Sequence, residues 1–393
     1  MYEEISKEGI SIILINDFKE IMKLFFGPFL VAFFIQQNPN STYLISMYYF
    51  LAYFFASFLW LLSGWFANNK NKILLFKIGI IIECIYALMF VLLREKVLDH
   101  VILMSFIYGL TCATFFLPYN FLIGDKIKKK NRKNFELLKE GSVALIKIIV
   151  PILLGFMITI TNYSLTTIVI VILTVMQFIL TFNIKDIKEV KNDSYTPIKW
   201  FKENIKNKEI KYLFIGEYLK GLTINNGALT VIITIYILNS FKTNIALGYI
   251  TSFSYAVSLV FAYFYNKYFK ENDNNVIIVS SVLPALLTIL IVVKPNTYLI
   301  LLYNLLYYSF VTILLICSNA RIWNKSESKD VKKTDRVEYW VIRDLLLNLG
   351  RITSFVLLFI FSLLAGKITL GIYTILLSLS LIFVGLFSIK ITE

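Results

Sequence analysis

The chain has 393 residues, of which 58% are hydrophobic and 16% charged, and it carries a net charge of +14. Soluble domains hold about 45–50% apolar and ~25% charged residues, so a soluble two-domain enzyme is excluded. The basic balance would suit nucleic acid, but the placement of the charges along the chain argues against that partner.

The opening segment, MYEEISKEGISIILINDFKE, has no basic start and no small-residue cleavage site. It does not read as a removable signal, so the first apolar stretch is expected to serve as the insertion signal. Apolar blocks follow at roughly 21–38, 42–66, 73–93, 100–123, 142–162, 164–184, 211–238, 243–265, 275–293, 296–319, 341–364 and 368–389. Blocks near 20 residues cross ~30 Å of hydrocarbon as helices. The alternating short segments of a membrane β-barrel are absent. The expected fold is an all-α membrane protein of 12 transmembrane helices in two six-helix bundles. An N-terminal half covers 1–184, a cytoplasmic linker 185–210, and a C-terminal half 211–393.

Lys and Arg crowd into alternate connections. The 124–141 loop holds seven and 185–210 another seven, whereas the opposite side carries only Arg94, Lys96, Lys242, Lys294 and Lys367. By the positive-inside bias, both termini and the long loops are cytoplasmic in a multi-pass plasma-membrane protein. The charge then reports topology and contact with anionic lipid headgroups, not nucleic acid. Within the linker, Pro197-Ile198-Lys199-Trp200-Phe201 opens either an amphipathic surface helix or a solvated tether with one anchoring Trp. Cys84, Cys112 and Cys317 fall in apolar blocks, and His100 is the only histidine. No disulfide framework, metal centre or cofactor is expected, and no Gly-Lys-Ser/Thr loop signals ATP hydrolysis.

The chain also repeats itself. KEIMKLFFGPFL (Lys19 to Leu30) returns as KEIKYLFIGEYL (Lys208 to Leu219), seven of twelve positions identical, opening the first and seventh blocks. Lys139-Glu140, with Lys147 seven past the Glu, is echoed by Arg343-Asp344, with Arg351 seven past the Asp. A half-length repeat is the mark of transporters built from two helical bundles.

After the second block the chain reads Gly64-Trp-Phe-Ala67-Asn68-Asn69-Lys70-Asn71-Lys72. Together with the twelve blocks, the repeat and the basic central loop, this resembles the major facilitator superfamily of secondary transporters. That family places a Gly-x-x-x-Asp-Arg-x-Gly-Arg-Lys motif there. The resemblance implies that Gly64 allows a close helix approach, and that Lys72 keeps a basic gate position. Asn68 stands where the family has Asp, which removes a charge used at the cytoplasmic gate. It also implies that the first, fourth, seventh and tenth spans surround a substrate cavity. Pro151 and Gly155 are similar to part of the Gly-Pro-x-x-Gly-Gly stretch of drug/proton antiporters, with Val150 replacing the leading Gly.

Polar groups inside hydrocarbon cost about 2.5–3.5 kcal/mol per central charge on insertion scales, so each asks for a reason. In the seventh span Glu217 and Lys220 share a helical face; they read as a proton-coupled pair or as an inner-surface ion pair. Gly221-Leu-Thr-Ile-Asn225-Asn226-Gly227 then predicts a broken helix, its amides binding substrate or gluing helices together. Glu83, alone in the third span, either carries protons or bonds to another helix. Glu140 with Lys147, and Asp344 with Arg351, lie two turns apart, ~10 Å. They are too far apart to pair directly, and read as gate charges or as helix-end anchors. Tyr119, Asn120, Gln36, Gln37, Asn304, Tyr307, Tyr308 and Asn319 are further candidate substrate contacts.

The expected function is secondary transport by alternating access: proton-coupled export (efflux by antiport) of a small amphipathic compound. The partners are that solute, protons and lipids, and the protein is a monomer. A nutrient importer of the same fold, or a non-transporting accessory or sensor protein, remain the alternatives.

Overall fold

The computed structural model describes residues 6–38, 41–69, 72–127, 132–185, 195–269, 273–328, 331–332, 335–364 and 367–391. They form helices and connections, with no strand among them. The helices are α1 (Lys7–Leu24), α2 (Leu30–Gln37), α3 (Thr42–Asn69), α4 (Lys72–Leu93), α5 (Val101–Lys126), α6 (Arg132–Ile160), α7 (Tyr163–Leu180) and α8 (Pro197–Asn204). They continue with α9 (Lys208–Leu222), α10 (Ala228–Phe241), α11 (Asn244–Phe264), α12 (Asp273–Val293), α13 (Thr297–Glu327), α14 (Arg336–Leu363) and α15 (Lys367–Ser388). Among the described residues nine segments are long and apolar enough to cross a membrane. One of them, Lys72–Asn120, contains both α4 and most of α5, joined by a tight turn at Arg94–His100.

Helix starts are written in the sequence. Ser6, Asn162, Asn207, Thr243 and Asn296 each accept a backbone N–H of the first turn that follows, meeting donors that hydrocarbon would leave bare. Lys242, left-handed at φ 59°, ends α10.

Two expected spans are interrupted. Between α1 and α2 a π-helical turn, Phe25–Phe29, contains Pro28; proline has no N–H to give the preceding turn, so the ladder slips there. Between α9 and α10 the chain leaves the helix altogether from Thr223 to Gly227. The first span also starts earlier than its apolar block: α1 begins at Lys7, not near residue 21. Polar Asp17, Lys19 and Glu20 therefore lie inside a helix, not at its end.

The helices before the linker pack mainly among themselves (α3 on α5, α4 on α5 and α7), as do those after it (α9 on α14, α11 on α13, α12 on α13 and α15). Two seams join the groups, α3 against α14 and α6 against α11. Helix α8 docks on α14 with Trp200 buried, its ring 6.3 Å from Phe214 and 6.0 Å from Tyr339. Trp200 therefore packs on protein, in place of the lipid anchor that the basic sequence around it suggested.

Candidate functional site

A cavity of about 1400 Å³ lies between the two helix groups. Its mouth is at the end bearing the basic connections, where Lys72, Glu136, Lys139, Glu140, Asn324 and Arg336 line it. Its depth is walled by Pro28, Tyr49, Tyr53 and Tyr108 on one side, and by Asn225, Asn226, Thr230 and Thr234 on the other. Both helix breaks therefore face it. On its far side Phe355 of α14 stacks across the seam on Tyr49, at 5.0 Å, and on Tyr53, at 6.0 Å, while α2 packs on α10.

The second break is built by a backbone crossing. A Cβ at Gly221 would stand 2.0 Å from the Leu347 carbonyl oxygen, and one at Gly350 2.0 Å from that of Tyr218. Only two glycines let α9 and α14 touch this closely. The chain then turns: the Lys220 carbonyl accepts the N–H groups of Thr223, Ile224 and Asn225, and Asn226 takes a left-handed φ of 59°. The residues that follow Gly350 on α14 repair both ends. Arg351 Nε–H donates to the Asn225 carbonyl (2.7 Å) and its terminal nitrogens to Asn225 Oδ1 (3.1 Å) and Asn348 Oδ1 (2.7 Å). Ser354 Oγ accepts the first N–H of α10 from Ala228, at 3.2 Å. A cation at the C-terminal end of α9 also suits its dipole.

Two buried charge clusters flank the cavity without lining it. Glu83 is not alone: Lys19 of α1 pairs with it, both side chains 5% exposed. The Lys19 ammonium also lies 4.5 Å from the Phe115 ring centre, and Glu83 Oε2 has no hydrogen-bond partner among the described residues. Glu217, fully buried, takes Lys220 at 2.7 Å and Arg343 at 2.5 Å, and Arg343 also holds Asp344 at 2.7 Å. Lys220 reaches Asn319 as well, at 3.3 Å. This is a network of four charged residues joining α9 and α14, with Asn319 tying it to α13, where an isolated pair at the helix end was one expectation.

The other predicted residues divide clearly. Tyr119, Asn120, Asn225, Asn226, Glu140, Lys147 and Lys72 line the cavity, with Tyr308 and Asn319. Gln36 does not reach it, being exposed near the end of α2. Asn304 and Tyr307 are buried behind the wall, where the Asn304 amide donates to Ile300 O; their neighbour Tyr308 takes the facing position. Lys147 pairs at 4.0 Å with Glu20, which Lys23 also binds, while Glu140 pairs with Lys139 at 3.3 Å. Gly64 is packed against Tyr195, whose hydroxyl donates to Leu61 O at 3.2 Å, and against Val341. The side chain of Asn68 lies outside the described residues. Pro151 and Gly155 sit on the α6–α11 seam, Gly155 pressed against the Asn244 carbonyl.

Lys19, Glu20 and Arg343 were not among the predicted site residues. Their signal was present in the repeat and its echo, but a helix starting at 21 placed the first two in the interface region.

A sequence profile of the Major Facilitator Superfamily matches residues 13–326. Among solved structures, the nucleoside transporter NupG superposes with a TM-score of 0.70 at 14% identity, covering 98% of this chain and 100% of its own. The human organic anion transporter MFSD10 gives 0.68 at 9% identity, over 96% and 99% of the two chains. A bacterial homologue of the iron transporter ferroportin, in its inward-facing state, gives 0.68 at 14% identity, over 98% and 97%. A search of curated protein sequences finds no significant match.

Proposed function

The chain belongs to the Major Facilitator Superfamily and is a membrane transporter, not an enzyme; from that premise we propose that it works by alternating access as a proton-coupled exporter of a small amphipathic solute. The observation that carries this reading is the cavity, which reaches the end bearing the basic connections and is walled by both broken helices. With the basic connections cytoplasmic, the described state is open to the inside of the plasma membrane, where an exporter loads. Tyrosine rings, amides and threonine hydroxyls alternate along its depth, a surface that suits a solute with apolar and hydrogen-bonding faces.

Glu217 and Glu83 are the proposed proton carriers. Glu217 is held by Lys220 and by Arg343 of the seam helix α14, and Glu83 by Lys19 of α1. Protonating either carboxylate would free a cation to change partner as the bundles rock, which ties proton binding to conformation. The test uses inside-out vesicles under an imposed pH gradient. Solute-dependent proton movement is expected, and Glu217→Gln or Glu83→Gln abolishes it. Coupling that survives both substitutions removes these carboxylates from the mechanism.

A further inference from the structure

We propose that Lys23 and Lys147 form a docking site for an anionic group of the solute, with Glu20 as the internal carboxylate that the solute displaces. This rests on reading the cavity as the solute site and adds the solute's chemical class to that reading: an organic anion with an apolar body.

All three side chains line the cavity. Glu20 and Lys23 stand about one turn apart on α1, just before the π-helical turn, and Lys147 reaches them from α6. Two ammonium groups thus share one carboxylate, and they share it unequally. Lys23 hydrogen-bonds to Glu20 Oε1. Lys147 lies 4.0 Å from Glu20 Oε2, beyond hydrogen-bond distance, and makes no hydrogen bond among the described residues. An ammonium has three donors, so Lys147 keeps all of its own and Lys23 keeps the two that Glu20 does not take. The Lys23 and Lys147 side chains are 37% and 33% exposed, against 13% for Glu20. A solute therefore meets the donors before the carboxylate.

The nearby carboxylates are otherwise engaged. Asp17, on the same helix, is buried and accepts from Ser142 Oγ at 2.7 Å. Glu136 and Glu140 lie nearer the mouth, both held by Lys139, at 2.5 and 3.3 Å. Lys72 and Arg336 line that end too, so the described lining holds five cations and three carboxylates. A cleft with that balance draws anions inward.

Tyr255 of α11 extends the site across the seam. The Lys147 ammonium lies 5.5 Å from its ring centre, and the Tyr308 ring of α13 is 5.3 Å from that of Tyr255. Both rings line the cavity. Two rings beside an ammonium suit an anionic group carried on an apolar or aromatic body. Ammonium is a point charge without the planar fork of guanidinium, so carboxylate and sulfonate are both acceptable. A solute held by Lys147 and resting on Tyr255 and Tyr308 touches both helix groups, which lets its binding bias their packing.

Equilibrium binding to the purified protein tests this without any gradient. Thermal shifts are read with benzoate, benzenesulfonate and octanoate, each against its amide: benzamide, benzenesulfonamide and octanamide. At least one anion should bind about tenfold or more tighter than its amide, the scale of a charge-assisted hydrogen bond. This comparison needs no variant. Glu20→Gln removes the internal competitor and should tighten the anion while leaving its amide unchanged, a gain that losing a purely structural ion pair would not produce. Lys147→Gln should remove most of the preference, and Lys147→Arg should keep it. Amides binding as well as anions, no anion binding at all, a preference that survives Lys23→Gln and Lys147→Gln together, or an anion weakened by Glu20→Gln each overturn the proposal. Failure of the transport reading is a separate result: vesicles that show no solute-dependent proton movement.

Discussion

The two broken spans face one another across the cavity and are repaired by different chemistry. In the first, the ladder slips at Pro28 but stays helical, and a neutral group, the Tyr49 hydroxyl, reaches the Phe26 carbonyl at 3.3 Å. In the second, the helix stops, and a guanidinium and a serine from α14 take up its two ends. The repeated run explains part of the contrast. The first break lies inside the run and the second beyond it, so equal sequence does not mean equal depth. Scaffold is duplicated in this molecule, while a charged group takes up a broken end only at the second break.

Steric tests should separate the two breaks most sharply. An alanine Cβ at Gly350 would overlap a backbone oxygen that cannot rotate away, whereas nothing lies within 4 Å of one at Gly27. Gly350→Ala is expected to cost about 1–3 kcal/mol or more by forcing α9 and α14 apart, with a clearly lowered melting temperature. Gly27→Ala should leave the melt nearly unchanged. Equal melts would mean that the crossing at Gly221 and Gly350 is not tight.

Charge removal comes next. Lys19→Met strands Glu83, which has no other cation among the described residues, and losing one partner of a buried pair costs about 3–5 kcal/mol. Lys220→Met leaves Glu217 still bound to Arg343 at 2.5 Å, so its cost should be well under half of that. Melting curves of the two variants, run side by side, check the order. A reversed order would show that the four-residue network has no redundancy.

Much of this contrast was legible in the sequence, and the remainder has a physical reason. The Asn225-Asn226-Gly227 break could be read directly, because two amides beside glycine in an apolar block leave the helix little to gain. Gly64 could be read as a close-approach position, and Tyr195 and Val341 occupy the space beside it. The partner of Glu83 could not be read. Apolar blocks locate the ends of hydrocarbon, not of helices, and α1 runs more than three turns beyond its block toward the N-terminus. Arg351 was visible as a deep charge, but its partners depend on the Gly221–Gly350 crossing, a contact between distant segments that no local pattern encodes. Asn304, Tyr307 and Tyr308 show the same limit at finer scale, since a helical register decides which of three adjacent polar groups faces the cavity.

Single hydrogen bonds at the breaks should give smaller effects. Ser354→Ala leaves the Ala228 N–H unmet in a buried site, about 1–3 kcal/mol. Tyr49→Phe loses one long bond to a carbonyl that keeps other acceptor capacity, about 0.5–1 kcal/mol. The comparison fails if Tyr49→Phe proves the more damaging.

The smallest difference lies in one backbone angle. Asn226, at φ 59°, is in the left-handed region, while no residue from Phe25 to Phe29 has a positive φ. Asparagine tolerates that region better than most residues, and glycine occupies it without strain. Asn226→Ala keeps a Cβ but loses the amide that eases the conformation, and should cost about 1 kcal/mol. Asn226→Gly removes the strain but adds freedom to the unfolded chain, two effects of opposite sign that should nearly cancel, within about 0.5 kcal/mol. If the glycine variant keeps its melting temperature yet loses solute binding, the Asn226 amide acts on the solute; if the alanine variant loses both, its backbone role comes first.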